Sequence, residues 1–178
     1  MRTITTSFDV YEFGELSKEA QRQASYSVSN EVLFMWEDEV YATAKALVAH
    51  FHSTMYLDGV DFFQDHHYCL TIESPEFEEE ELAERIKALG SVDEDTGRGR
   101  GDCVLTGVCY DEDVADVVRT GYNSGERDVE FLLRTAIHSL IKQAREECES
   151  FYNNEEGVLQ EFCDANNMEF RESGQLYG

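Results

Sequence analysis

Between Asp128 and Tyr152 the apolar residues Val129, Leu133, Ala136, Ile137, Leu140, Ile141, Ala144, Cys148, Phe151 and Tyr152 recur at i, i+3, i+4 and i+7. At 3.6 residues per turn this rhythm lays one continuous stripe along a single helix for about seven turns. The opposite face carries Arg134, Ser139, Lys142, Gln143, Arg145, Glu146 and Glu149 and is expected to meet solvent. Glu130 and Arg134 stand in the favourable i, i+4 order, worth tenths of a kcal/mol. Propensity alone holds such a helix weakly, so its stripe must be covered by the rest of the chain.

What covers it is read from the remaining periodicities. Residues 2–12 alternate and are rich in Thr, Val, Ile and aromatics, which predicts a strand ending at Phe13-Gly14. Ser17 is placed to cap a helix reaching about Tyr26, and Asn30 to cap a second through Val32, Trp36, Val40, Ala44, Leu47, Val48 and Phe51. Met55-Tyr56-Leu57 and Phe62-Phe63, around Asp58-Gly59, predict a hairpin-like turn. His67–Glu73 reads as a strand, Glu76–Leu89 as a helix and Gly90–Asp102 as a loop. Cys103–Tyr110 reads as another strand, and Asp111 as the cap of a helix to about Thr120. Gly121–Gly125 is expected to be a loop, and Asn153 or Asn154 to cap a last helix to about Asn166. Met168–Tyr177 closes as a small hairpin or strand. Strand signals at both ends and in the middle, with helices between, give an α+β fold: a small antiparallel sheet against several helices, one of them long and central. A chain of 178 residues with eleven Phe, nine Tyr and one Pro can build a core, and a single domain over 1–178 is expected.

Charge restricts the function classes. Acidic residues number 38 against 14 basic, a formal net of -24. The electrostatic footprint of a nucleic-acid binder is basic, so direct nucleic-acid binding is not expected, nor attraction to an anionic membrane. No stretch has the roughly 18 apolar residues of a span, and the start, Met1-Arg2-Thr3-Ile4-Thr5, lacks a signal-peptide core. A partner drawn by charge is itself basic. Ten Arg against four Lys also fits a halophilic or solubility origin of the acidity.

The densest acidic stretch is Glu76 to Asp95, with nine acids against Arg85 and Lys87. On a helix Glu76, Glu80 and Glu84 fall on one face with Glu81 beside them, carboxylates about 5–6 Å apart. Such a row loosely resembles the phosphates along one strand of a nucleic acid, which rise about 3.4 Å each along the axis. Glu78, Glu79 and Asp93-Glu94-Asp95 extend the candidate contact, and Asp111, Glu112, Asp113 and Asp116 form a second. Glu37-Asp38-Glu39 and Glu146-Glu147-Glu149-Glu155-Glu156 are further clusters. Each also reads as an ordinary solvated helix surface.

Catalytic and metal chemistry find little support. Asp93-Glu94-Asp95-Thr96-Gly97 opens like a calcium loop, but Arg98 and Arg100 break the pattern. His66-His67-x-Cys69 with Cys103 and Cys109 lacks zinc-ligand spacing. The five cysteines, completed by Cys148 and Cys163, are expected as buried thiols. No nucleophile elbow, phosphate loop or dinucleotide fingerprint occurs, so neither an enzyme nor a cofactor is expected; His67 and Cys69 are the residues an activity would use. Gly97-Arg98-Gly99-Arg100-Gly101 reads as a basic hairpin connection.

The stretch Tyr11-Glu12-Phe13-Gly14-Glu15-Leu16-Ser17-Lys18-Glu19-Ala20 resembles the Y-x-F-x-E-L-S-x-E-A opening of small uncharacterised phage and prophage proteins. Asn167–Tyr177 resembles their ending, N-x-x-E-F-x-E-x-G-x-L-Y. Gly14 departs from the acidic residue expected there. The resemblance implies a viral accessory protein of the host cytoplasm, with no catalytic residues to carry over. Acidic proteins of that origin include anti-CRISPR and antirestriction inhibitors that imitate DNA or RNA. Together with the charge, this predicts an inhibitor that fills the basic channel of a CRISPR effector or restriction enzyme. The rival expectation is an adaptor that grips a protein through an apolar patch; the sequence leaves a homodimer open.

Overall fold

The computed structural model describes residues 9–31, 36–63, 67–89, 105–106, 110–154 and 157–177. A 3-10 turn at Phe13–Glu15 precedes α1 (Lys18–Glu31) and α2 (Glu37–His50). Strands β1 (Thr54–Asp58) and β2 (Cys69–Glu73) follow, then α3 (Glu79–Ala88), α4 (Tyr110–Asn123), α5 (Val129–Tyr152) and α6 (Val158–Ala165). β3 (Glu169–Phe170) and β4 (Leu176–Tyr177) complete an α+β fold. The chain forms two compact units, Trp36–Glu146 and a second that joins Met1–Met35 to Glu147–Gly178.

In the Trp36–Glu146 unit, α5 is the organising element that its periodicity predicts. Asp128 starts it, its Oδ1 accepting from the Phe131 amide at 3.2 Å. Leu133, Ala136, Ile137 and Ala144 are fully buried, and Leu132 joins the stripe. Each buried Leu or Ile contributes about 1.5–3 kcal/mol. Two residues of the expected solvent face depart from it. Arg134 donates to the Leu70 carbonyl at 2.7 Å while pairing with Glu130, and Arg145 donates to the Asp61 carbonyl at 2.8 Å. Both long stems cross the apolar boundary and satisfy backbone acceptors of the β1–β2 region.

β1 and β2 pair antiparallel, Met55 opposite Ile72 and Leu57 opposite Leu70. The expected tight turn at Asp58-Gly59 is therefore a longer connection, and this pairing places Leu70 and Ile72 on the buried face, which a one-residue slip would expose. Gly59 has a left-handed φ of +74°, which glycine adopts without steric cost. Helix α3 begins at Glu79, three residues later than its acidity suggests. Phe77 stacks edge-on to Phe51 and under the Arg85 guanidinium, in a segment that is extended up to Glu78. Helix α4 runs on to Asn123, so only the end of the predicted 121–125 loop is non-helical. The candidate strand at Cys103–Tyr110 lies mostly outside the described residues, and Tyr110 is the first residue of α4.

The second unit brings the two ends of the chain together. Tyr11 exchanges backbone hydrogen bonds with Phe170, each 2.9 Å, and Phe13 meets the Phe170 ring edge-on at 6.0 Å. Ser17 caps α1 as expected, accepting from the Ala20 amide at 3.2 Å. That helix passes through Asn30, contrary to the expected cap there, because Ala20, Ala24 and Val28 continue its buried stripe. Asn154, at φ +54°, reaches forward and accepts from the Gln160 amide in the first turn of α6. The terminal hairpin forms with Phe170 opposite Leu176. Both stretches that carry the phage-like resemblance are thus used for packing and capping in this unit. The rest of the predicted first strand, residues 1–8, lies outside the described residues.

Candidate functional site

Helix α3 is the centre of the predicted contact. Leu82 and Ile86 bury one face, so the residues opposite must point to water. Three acids in its first turn and Arg85 and Lys87 in its last also suit the helix dipole, which gives the layout a structural cause independent of any partner. Glu76, Glu78, Glu79, Glu80, Glu81 and Glu84 are all exposed. They are not equivalent. Glu81 accepts from Arg85 at 3.1 Å, and Glu79 lies 3.7 Å from the Arg127 Nε. Arg85 is itself structural, donating to the His50 carbonyl at 2.6 Å while His50 Nε2 meets the Arg85 carbonyl at 2.9 Å.

Glu76 precedes the helix, which corrects the expected row of three; Glu80 and Glu84 remain one turn apart on the crest. The helix spans ten residues, about 15 Å at 1.5 Å per residue. Asp93, Glu94 and Asp95 lie outside the described residues, as does the Gly97–Gly101 loop.

The second predicted patch is divided. Glu112, Asp113 and Asp116 are exposed; Asp113 accepts from the Gln143 amide at 2.9 Å, and Asp116 forms an ion pair with Arg119. Asp111 points the other way. It is 5% exposed; its Oδ1 accepts from the Thr43 hydroxyl at 3.0 Å and the Thr106 hydroxyl at 2.8 Å, and its Oδ2 accepts from the Thr106 amide at 2.8 Å. Its carboxylate joins α2, residue 106 and α4, so this position is corrected from a partner contact to an internal clasp. Helices α3 and α4 touch within the same unit, which gathers the exposed members of both predicted patches onto neighbouring elements.

The acidity as a whole is not concentrated there. Trp36–Glu146 holds 25 acidic and 10 basic residues, a net of -15; the other unit holds 13 and 4, a net of -9. Per residue the two are equally acidic.

The residues considered for catalysis are scattered. His67 and Cys69 are exposed, and Cys69 sits on the outer face of β2, unlike the buried thiol expected. Cys148 and Cys163 are buried as thiols, and burial pushes the Cys163 thiol up to about 11, too high to supply a thiolate at neutral pH. Cys103, Cys109 and His66 lie outside the described residues. Sequence reading missed one pair, the Tyr68 hydroxyl on His138 Nδ1, whose partners are 70 residues apart. Partial burial, then the Arg134 charge, lowers the His138 pKa, which favours the neutral ring. Arg145 lies 5.5 Å from the Tyr68 ring, so the group fastens the approach to β2 onto α5. Among the described residues no group of three or more His, Cys, Asp or Glu is placed to hold a metal ion, and no helix is long and apolar enough to cross a membrane.

No protein-family model, curated protein or solved structure matches the chain.

Proposed function

We propose that the protein is a non-enzymatic, cytoplasmic inhibitor of phage origin that occupies the basic nucleic-acid channel of a host defence complex, of the CRISPR-effector or restriction-enzyme class. The observation that carries this reading is the crest of α3, where Glu80 and Glu84 stand exposed one turn apart, with Glu76 and Glu78 leading to them. Glu112 and Asp113 are exposed on α4, which touches α3. Each pair formed with Lys or Arg adds on-rate and specificity. A channel that binds nucleic acid by releasing counterions would accept such a ridge on the same terms. The phage-like ends of the chain support the reading from a separate side.

A second reading, a protein-binding module with acidity for solubility, draws support from the equal charge density of the two units and from exposed Tyr56 and Phe63, 58% and 42% accessible. The two differ in what releases the partner. Bacterial proteins captured on the immobilised chain are expected to be eluted by competing duplex DNA, and the Glu80→Lys/Glu84→Lys variant to retain about a tenth as much or less. Capture that is indifferent both to DNA and to the double reversal contradicts the inhibitor reading.

A further inference from the structure

After α2 the chain reverses at His52, whose φ is +52°, and the Ser53 amide donates to the Val48 carbonyl at 3.1 Å. β1 then lies against α2, and a cleft of about 280 Å³ runs between them within the Trp36–Glu146 unit. Tyr41 and Lys45 line it one helical turn apart, about 5.4 Å along the axis. Buried Val48 and half-buried Met55 and Leu57 supply its apolar lining. Lys45, Ala49 and Tyr56, also in the lining, are exposed, so the cleft is open to solvent.

The cleft meets charge of both signs. Among the described residues Lys45 is the one cation lining it. Glu37 lies one turn before Tyr41 on the same helix, and Asp58 ends β1, its Oδ2 accepting from the Tyr56 hydroxyl at 3.2 Å. Burial first, then the charges of Glu37 and Asp58, raise the Tyr41 pKa, so both carboxylates act on the end of the cleft that Tyr41 occupies. Among the described residues neither Lys45 nor Glu37 enters an ion pair. An anion alone would meet the two carboxylates, and a cation alone would meet Lys45. A zwitterion whose charges lie close together satisfies both, through charge-assisted contacts at each end. The volume sits at the lower limit of small-molecule sites, roughly 300 Å³, which suits one metabolite of few heavy atoms.

We propose that this cleft binds a free α-amino acid with an apolar side chain, its ammonium toward Glu37 and Asp58, its carboxylate on Lys45 and its side chain against Val48, Met55 and Leu57. No residue of this site belongs to the α3 crest, so reversing Glu80 and Glu84 leaves it intact, and the two readings fail independently.

The test titrates L-leucine, L-methionine and L-phenylalanine into the full chain and follows backbone amide shifts. Saturable shifts are expected with at least one of the three by about 10 mM, confined to residues 37–58. The amide of that amino acid, which lacks the carboxylate, and its des-amino analogue, which lacks the ammonium, are each expected to bind about tenfold more weakly or worse. Glycine, without the apolar side chain, should lose as much. So should the Lys45→Met variant, at an exposed position where folding is retained. Absence of saturation with all three, undiminished binding of the amide or the des-amino analogue, undiminished binding by Lys45→Met, or shifts located elsewhere overturns the proposal.

Discussion

Replacing Asp111 by alanine is expected to lower the stability of the Trp36–Glu146 unit by about 3 kcal/mol. Among the described residues, the Thr43 and Thr106 hydroxyls at 3.0 and 2.8 Å and the Thr106 amide at 2.8 Å converge on this buried carboxylate. Hydrogen bonds to a charged group contribute about 1.5–3 kcal/mol each, but removing the carboxylate also relieves its desolvation, so the net falls well below their sum. Thr43 is fully buried, and its hydroxyl cannot turn to bulk water once Asp111 is gone. Asp111→Asn keeps one acceptor oxygen for the hydroxyls but sets an amide nitrogen against the Thr106 N–H, and an intermediate loss is expected. Trp36, the single tryptophan, belongs to this unit, so its fluorescence in a urea titration follows the effect. Glu112→Ala, one residue on and exposed, should stay within about 0.5 kcal/mol. Equal midpoints for the two alanine variants would return Asp111 to the surface carboxylates.

The second large effect is expected at Gly174, in the terminal hairpin. Its φ is +84°, and a Cβ built there would lie 2.1 Å from the Ala20 carbonyl oxygen and 2.9 Å from the Ala24 amide nitrogen. Both obstacles are backbone of α1, which cannot swing aside as a side chain would. Gly174→Ala is expected to cost about 4 kcal/mol, of which the left-handed conformation alone accounts for about 1 kcal/mol. Gly157 provides the matched control, since it has φ +81° and, among the described residues, nothing within 4 Å of the added Cβ. Hydrogen exchange of the α1 amides should therefore accelerate strongly in Gly174→Ala and only slightly in Gly157→Ala. Similar exchange in the two variants would mean that the close approach to α1 contributes nothing.

These residues mark where local pattern stops being informative. The α5 stripe was legible because its period persists over 24 residues, far longer than a chance run. Ser17 and the terminal hairpin were legible because caps and turns depend on neighbours in sequence. Asp111 was not: a carboxylate at the start of a helix reads as a solvent-facing cap, and its partner Thr43 lies 68 residues away. The Asp58-Gly59 turn misled for a related reason. Gly59 does take a left-handed φ, but β1 pairs in a register that buries Leu70 and Ile72, which no local signal announces. Arg134 and Arg145 looked solvated because polar residues on a helix usually are, whereas here each reaches a distant carbonyl. Of the candidate contact, the exposure of the α3 glutamates followed from the buried positions of Leu82 and Ile86. The ion pair of Glu79 depends on Arg127 from beyond α4 and could not be foreseen, whereas that of Glu81 with Arg85 is an ordinary i, i+4 pair.

The central claim is that carboxylates on α3 replace phosphates in a basic channel, and ionic strength tests it most directly. The affinity of the chain for a captured partner should fall by an order of magnitude or more between about 50 and about 200 mM salt, with a shallower slope in Glu80→Lys/Glu84→Lys. An affinity that is flat across that range, or a slope that the double reversal leaves unchanged, would contradict it.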